Sequence, residues 1–233
     1  MKVVNVDQRL LYASPGQANK LVAGIRSSND RPWMFSLVSG QRQPTERGRR
    51  HGATVNLYFR LIWAIVRGIR LPPIRPGDWI ERRLRVWPSN LDVNAHMNNG
   101  RYLTIVDLML TEYFVRTGFA RGMISAGWRP MSGGAFISYR KALRPWQVYR
   151  LRFTLAGADT AWNYMRFEFL HRDGTLFAAG YVKGAAVGRR GLVPNMESYA
   201  RCGLSFLPRK LPAPVTHWLS AESNAIADFH HSG

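Results

Sequence analysis

The sequence predicts an α+β domain in which an antiparallel sheet wraps one long, almost wholly apolar helix. Three observations predict it. Over residues 100–118 the polar side chains Arg101, Thr104, Asp107 and Thr111 form a narrow stripe at spacings of three, three and four. Such spacing keeps them on one side of a helix, and apolar residues such as Tyr102, Ile105, Val106, Met109 and Tyr113 cover the rest. A helix this apolar must be surrounded by other structure. Downstream, VYRLRFTL (148–155) alternates Tyr149, Leu151, Phe153 and Leu155 with Arg and Thr, the period-2 pattern of a half-buried strand. Finally, Asp173-Gly174 separates two strand-like runs, WNYMRFEFLH (162–171) and LFAAGYVKGAAVG (176–188), as a hairpin turn would.

Taken in chain order, residues 1–53 mix Arg, Ser, Gly, Pro and Gln without sustained periodicity and are expected to be a loosely ordered basic extension. Their Arg content also suits an organelle-targeting peptide, against which Asp7, Asp30 and Glu46 count. Residues 54–71 read as an amphipathic helix, with Arg60, Arg67 and Arg70 near one face. The charge-free run is far shorter than the ~20 residues a membrane span needs. Two placements fit the helix equally well: on a membrane surface, or packed on its own domain. Prolines in LPPIRPGDW end it, so 54–79 is helix and linker.

The main domain is expected over 80–190. RRLRVWP (82–88) suits a first strand, the 100–118 helix follows, and AFISYRKAL (135–143) suits a second strand. Gly133-Gly134 reads as the turn leading into it, and Gly180 and Gly184 as small-residue or bulge positions. Residues 191–233 are expected to hold a short helix at PNMESYARCG and then a tail rich in Pro, Ala and Ser.

Charge narrows the function classes without choosing among them. There are 33 Lys and Arg against 14 Asp and Glu, a formal charge of +19. A field of that sign attracts nucleic acid, anionic lipid or a phosphorylated carrier. Zinc-finger spacing, aromatic RNA-binding motifs and basic heptads are all missing, so no nucleic-acid partner is expected. The single cysteine, Cys202, excludes an intramolecular disulfide and fits a reducing, cytoplasmic setting. It reads as a packed residue rather than a nucleophile.

The densest polar cluster lies just ahead of the apolar helix, in LDVNAHMNNGRYL (91–103). Asn98 or Asn99 is placed to cap the helix. Asp92 has the chemistry of a general base or attacking carboxylate, or of an Asx-turn residue. Asn94 and His96, two and four residues on, could hold a water or tune that carboxylate. The helix start offers N–H groups without intrahelical partners, and Gly100 leaves room for a substrate carbonyl beside the backbone. Asp92, His96 and Asp107 lack the supporting spacing of a metal site, so neither metal nor cofactor is expected.

The string VWPSNLDVNAHMNNGRYL (86–103) resembles the first-strand-to-helix segment of acyl-CoA thioesterases related to 4-hydroxybenzoyl-CoA thioesterase. It is also similar to the D-x-N-x-H-x-N-N segment of plant fatty acyl-carrier-protein thioesterases. SYRKALRPW (138–146) resembles their second-strand segment, and the likeness covers roughly 80–190. It implies a hotdog fold, hydrolysis of acyl-CoA or acyl-carrier-protein, and a homodimer or dimer of dimers with the site completed across the interface. On the same basis Asp92 is the base or nucleophile, and Asn94 and His96 match catalytic positions of the plant enzymes. Asn99, Gly100 and Tyr102 fall to the substrate, Tyr102 lining an acyl tunnel. A leading helix like 54–71 is similar to the membrane-associated segment some superfamily members carry. Two departures stand out: Asn90 where many acyl-CoA relatives have an acid, and Ala142 where the plant enzymes place a Glu. They keep open a non-catalytic hotdog protein that binds acyl chains or a membrane; a hotdog dehydratase fits the cluster less well.

Overall fold

The computed structural model describes residues 51–206 and 209–231, with side chains from 59 to 229. The extension expected over 1–53 therefore lies, up to residue 50, outside the described residues. The elements are α1 (His51–Arg70), β1 (Ile80–Arg85), a 3-10 turn (Pro88–Asn90), α2 (Asn99–Thr117), α3 (Phe119–Ala126), β2 (Arg129–Tyr139) and β3 (Val148–Ala158). β4 (Asn163–Leu170), β5 (Leu176–Gly188), β6 (Gly191–Leu192), α4 (Asn195–Arg201) and α5 (Ala213–His231) complete them.

Every strand pairing is antiparallel, in the order β1-β3-β4-β5-β2, with the short β6 on β5. The period-2 pattern in 148–155 sends Leu151, Phe153 and Leu155 to one face, where Met165, Phe167 and Phe169 of β4 join them. Tyr102, Ile105, Val106, Met109 and Tyr113 of α2 fill that face. Each such fully buried side chain contributes about 1.5–3 kcal/mol. The Tyr113 hydroxyl accepts a hydrogen bond from the Gly77 N–H at 2.8 Å, tying the helix to the chain that enters β1. α2 ends at Gly118, whose φ of 84° only glycine adopts freely, and α3 starts at once.

β1 stops at Arg85 rather than running to 88, because Pro88 cannot donate to a ladder and opens a 3-10 turn instead. β2 starts at Arg129, so Gly133 and Gly134 lie inside a strand and not in the turn expected of them. Trp162 and Lys183 pack against that stretch, and a Cβ on Gly133 would sit 2.3 Å from the Trp162 ring. Gly180 is small for a similar reason, since its Cβ would fall 2.0 Å from the Phe136 carbonyl oxygen. The C-terminal stretch expected as a tail is helical over Ala213–His231. Val215 is fully buried there, against Tyr164 and Tyr181 on the sheet face away from α2.

α1 packs on α2 with its polarity inverted. Ala64 and Gly68 are buried, and a Cβ on Gly68 would lie 2.8 Å from Val115, so the two helices approach closely. Arg67 turns to the same side and meets Glu112 of α2 at 3.3 Å. Phe59, Ile62, Trp63 and Ile69 are 56–70% exposed. An amphipathic helix laid on its own domain would bury these side chains and expose its arginines; here the apolar side chains are exposed, Arg60 and Arg67 are half-buried, and Arg70 alone of the three is exposed.

Candidate active site

The polar cluster is built by a closed turn ahead of α2. Leu91 bridges Met97 in antiparallel fashion, the Asp92 N–H donates to the His96 carbonyl (2.8 Å), and the Asn98 N–H donates to the Asn90 carbonyl (2.8 Å). Ala95 takes a φ of 55° to close the loop. Within it the Asp92 Oδ1 accepts the N–H groups of Asn94 (2.9 Å) and His96 (3.2 Å), an Asx turn that fixes the carboxylate. Asp92 thus bonds to the main chain of Asn94 and His96 rather than to their side chains. Its second oxygen, Oδ2, has no hydrogen-bond partner among the described residues. Asp92 and His96 are half-buried and Asn94 is exposed.

Asn98 is the residue that caps α2. Its Oδ1 accepts the Gly100 N–H at 2.9 Å, and its carbonyl accepts the Arg101 N–H at 2.9 Å. The Gly100 N–H is therefore engaged by the cap, and the Asn99 N–H is the donor left at the helix start. Tyr139, from β2, donates its hydroxyl proton to the Asn99 carbonyl (3.1 Å) and stacks edge-on against Tyr102 at 5.1 Å. Tyr102 is 2% exposed and also meets Phe169 at 4.8 Å, so it belongs to the core beside the site. That burial pushes its phenol above the usual tyrosine range.

His96 faces an open cleft of about 640 Å³, lined also by Lys141, Ala142, Arg144, Gln147 and Phe177. The Met97 N–H donates to the Leu143 carbonyl (2.9 Å), which ties this wall to the Asp92 turn. Lys141 and Arg144 were not singled out from the sequence, although both sit in the SYRKALRPW string; their basic character next to a thioester-type motif was the available signal. Cys202 is half-buried against Gly122, and burial raises its thiol, which suits packing rather than nucleophilic attack. Among the described residues, no helix is long and apolar enough to cross a membrane.

A family model described as the thioesterase-like superfamily matches residues 86–219, from the end of β1 into α5. The chain belongs to that superfamily. Its curled antiparallel sheet around a central helix is the hotdog fold expected from the 86–103 string. Among curated relatives, protein THEM6 of Xenopus laevis is 30% identical over 139 residues, covering 58% of this chain and 64% of the frog protein. The chain thus matches less than two thirds of that relative's length. Protein THEM6 of Danio rerio is 24% identical over 181 residues, covering 72% of this chain and 85% of the fish protein. Among solved structures, the probable thioesterase YbaW of Escherichia coli is similar, with a TM-score of 0.49 and 14% identity over 53% of this chain and 98% of its own.

Proposed function

We propose that this superfamily member hydrolyses acyl thioesters of coenzyme A or of an acyl-carrier protein, with Asp92 as general base or nucleophile. The observation that carries the reading is the state of that carboxylate. One oxygen is held by two backbone N–H groups, while the other is left for a water or a thioester carbon, in the turn ahead of a helix start whose His96 lines a cleft. As base, Asp92 takes a proton from water as the hydroxide adds to the thioester carbonyl carbon. The C–S bond then breaks as the proton held by Asp92 passes to the departing sulfur, giving a carboxylic acid and a thiol and restoring the carboxylate. The positive end of the α2 dipole and the Asn99 N–H favour the charge that develops on the carbonyl oxygen. Asn94 and His96 border the water's approach. Lys141 and Arg144 in the cleft suit the phosphates of the carrier.

A homodimer fits this reading. β2 pairs with β5 along one side, and Phe136 and Tyr139 on it are 43% and 39% exposed. A second copy added along its other side would lie next to the Tyr139–Asn99 contact and could complete the site.

The test is thioester hydrolysis across acyl-CoAs of increasing chain length, with Asp92→Asn beside wild type. Loss of a positioned acid–base group costs about 10²–10⁴ in rate, so the variant is expected to fall by at least about two orders of magnitude. Folded wild type inactive on every acyl-CoA and every acyl-carrier-protein would sink the proposal. One observation favours a second role, contact with an anionic membrane: the outward apolar face of α1. That role is compatible with hydrolysis and would stand alone if hydrolysis fails.

A further inference from the structure

Roofed by α1 is a second pocket, of about 390 Å³, that the thioester reading leaves unused. Its volume falls in the range of small-molecule sites. Phe59 and Trp63 of α1, Leu84 of β1, and Ile105, Leu108 and Met109 of α2 form apolar walls. Three arginines, Arg60, Arg82 and Arg85, share the lining.

The charge around this pocket is out of balance. Glu112, its side chain 1% exposed, lies within 3.6 Å of Arg67, Arg82 and Arg116, so three guanidiniums share one carboxylate. Arg60 and Arg85 add two more cations and have no ion-pair partner among the described residues. Arg60 is half-buried beside apolar walls, where an anion would offset the cost of partial desolvation, and Arg85 stands at the exposed rim, free to meet the same anion. A neutral lipid would leave the guanidiniums unmet, and a free inorganic anion would leave the walls wet. A ligand with an aliphatic tail and an anionic head satisfies both.

We propose that the pocket binds a single-tailed amphiphilic anion. Its tail lies between α1 and α2, and its head meets Arg60, which is half-buried, and Arg85, which is exposed. Arg82 stays with Glu112 deeper in the wall. A free fatty carboxylate and a single-chain anionic phospholipid share this chemistry. Asp92 does not line this pocket, although Asn90 of the same turn does.

Equilibrium dialysis of the full chain with radiolabelled hexadecanoate tests it, with hexadecanol as the neutral control and lysophosphatidylglycerol as the second source. Wild type is expected to bind hexadecanoate saturably, one per chain, and hexadecanol at least about tenfold more weakly, since a charge-assisted hydrogen bond is lost. The double variant Arg60→Gln/Arg85→Gln, altered at groups without ion-pair partners, should likewise lose about tenfold or more in affinity. Tighter binding of lysophosphatidylglycerol than of hexadecanoate assigns the source to membrane lipid, and the reverse order to free fatty acid. Asp92→Asn is expected to bind as wild type does, which separates failure of this site from failure of the hydrolase reading. Absence of saturable binding to folded wild type, equal binding of hexadecanol, or unchanged affinity in the double variant would each overturn the proposal.

Discussion

Glu112 sits in the middle of the central helix with its carboxylate enclosed by Arg67, Arg82 and Arg116. Burial holds Arg82 below the ordinary arginine range, while Arg67 keeps a side chain 37% exposed at the edge of the cluster. Removing the one carboxylate leaves the guanidiniums facing each other. Glu112→Gln is expected to cost about 3–5 kcal/mol, read as a lower urea midpoint with an unchanged slope. A loss below about 1 kcal/mol would mean that the arginines relax to solvent. Such a residue is hard to read from sequence, because its partners are far along the chain and nothing local distinguishes it from a surface acid. The Asp92 turn is different. Asp92, Asn94, His96 and Asn98 lie within seven positions, and both the Asx turn and the helix cap are local bonds, so residue spacing alone could propose them. What spacing left open was whether Asn98 or Asn99 caps the helix and whether Asp92 turns to the main chain or to the side chains of Asn94 and His96; the bonds to Gly100, Asn94 and His96 N–H groups decide both.

At the scale of elements, the strands whose pattern alternates cleanly, β3 and β4, were legible, as was α2 with its narrow polar stripe. The elements missed are those whose partners decide them. α5 carries the Ala and Ser of an ordinary tail, yet Trp218 and Glu222 reach across the sheet to Lys183, which lies over the rings of Trp162 and Trp218 at 5.1 and 5.6 Å. The Lys183 side chain is only 11% exposed, so its ion pair with Glu222 is what makes that burial tolerable. Glu222→Ala is therefore expected to loosen α5 rather than unfold the sheet. A buried charge-assisted hydrogen bond of about 1.5–3 kcal/mol corresponds to roughly a tenfold to hundredfold loss of amide protection in α5. Hydrogen exchange followed by mass spectrometry would read this, with β3 and β4 unchanged. Uniform loss of protection through β3 and β4 would contradict it, showing that α5 and the sheet unfold together.

For the whole molecule, charge and the exposed apolar face of α1 are the features that bear on the proposed membrane contact. The apolar face from Phe59 to Ile69 is about 15 Å long at 1.5 Å per residue, suited to lying in a membrane interface rather than crossing it. Trp87 and Trp146, exposed and stacked edge-on at 5.6 Å, extend that surface, since Trp87 shares a pocket wall with Phe59 and Trp63. Tryptophan suits such a boundary because its ring is apolar and its N–H polar. In the proposed contact, a net charge of +19 would draw the chain to anionic headgroups from a distance and the apolar face would supply the contact. The full chain is expected to sediment with vesicles of phosphatidylcholine and phosphatidylglycerol, and less with phosphatidylcholine alone or in high salt. Ile62→Ser/Ile69→Ser removes two exposed side chains, so folding should be spared. Because burying each such side chain is worth about 1.5–3 kcal/mol, vesicle affinity should fall by at least about tenfold. Among the described residues Arg67 is the α1 arginine that pairs with Glu112, so salt screens the others but should not mimic the loss of apolar contact: the double variant must weaken binding even where charge is already screened. Equal binding by wild type and variant would place α1 against protein instead, and a change in oligomeric state between the two would then identify a second copy as what covers it.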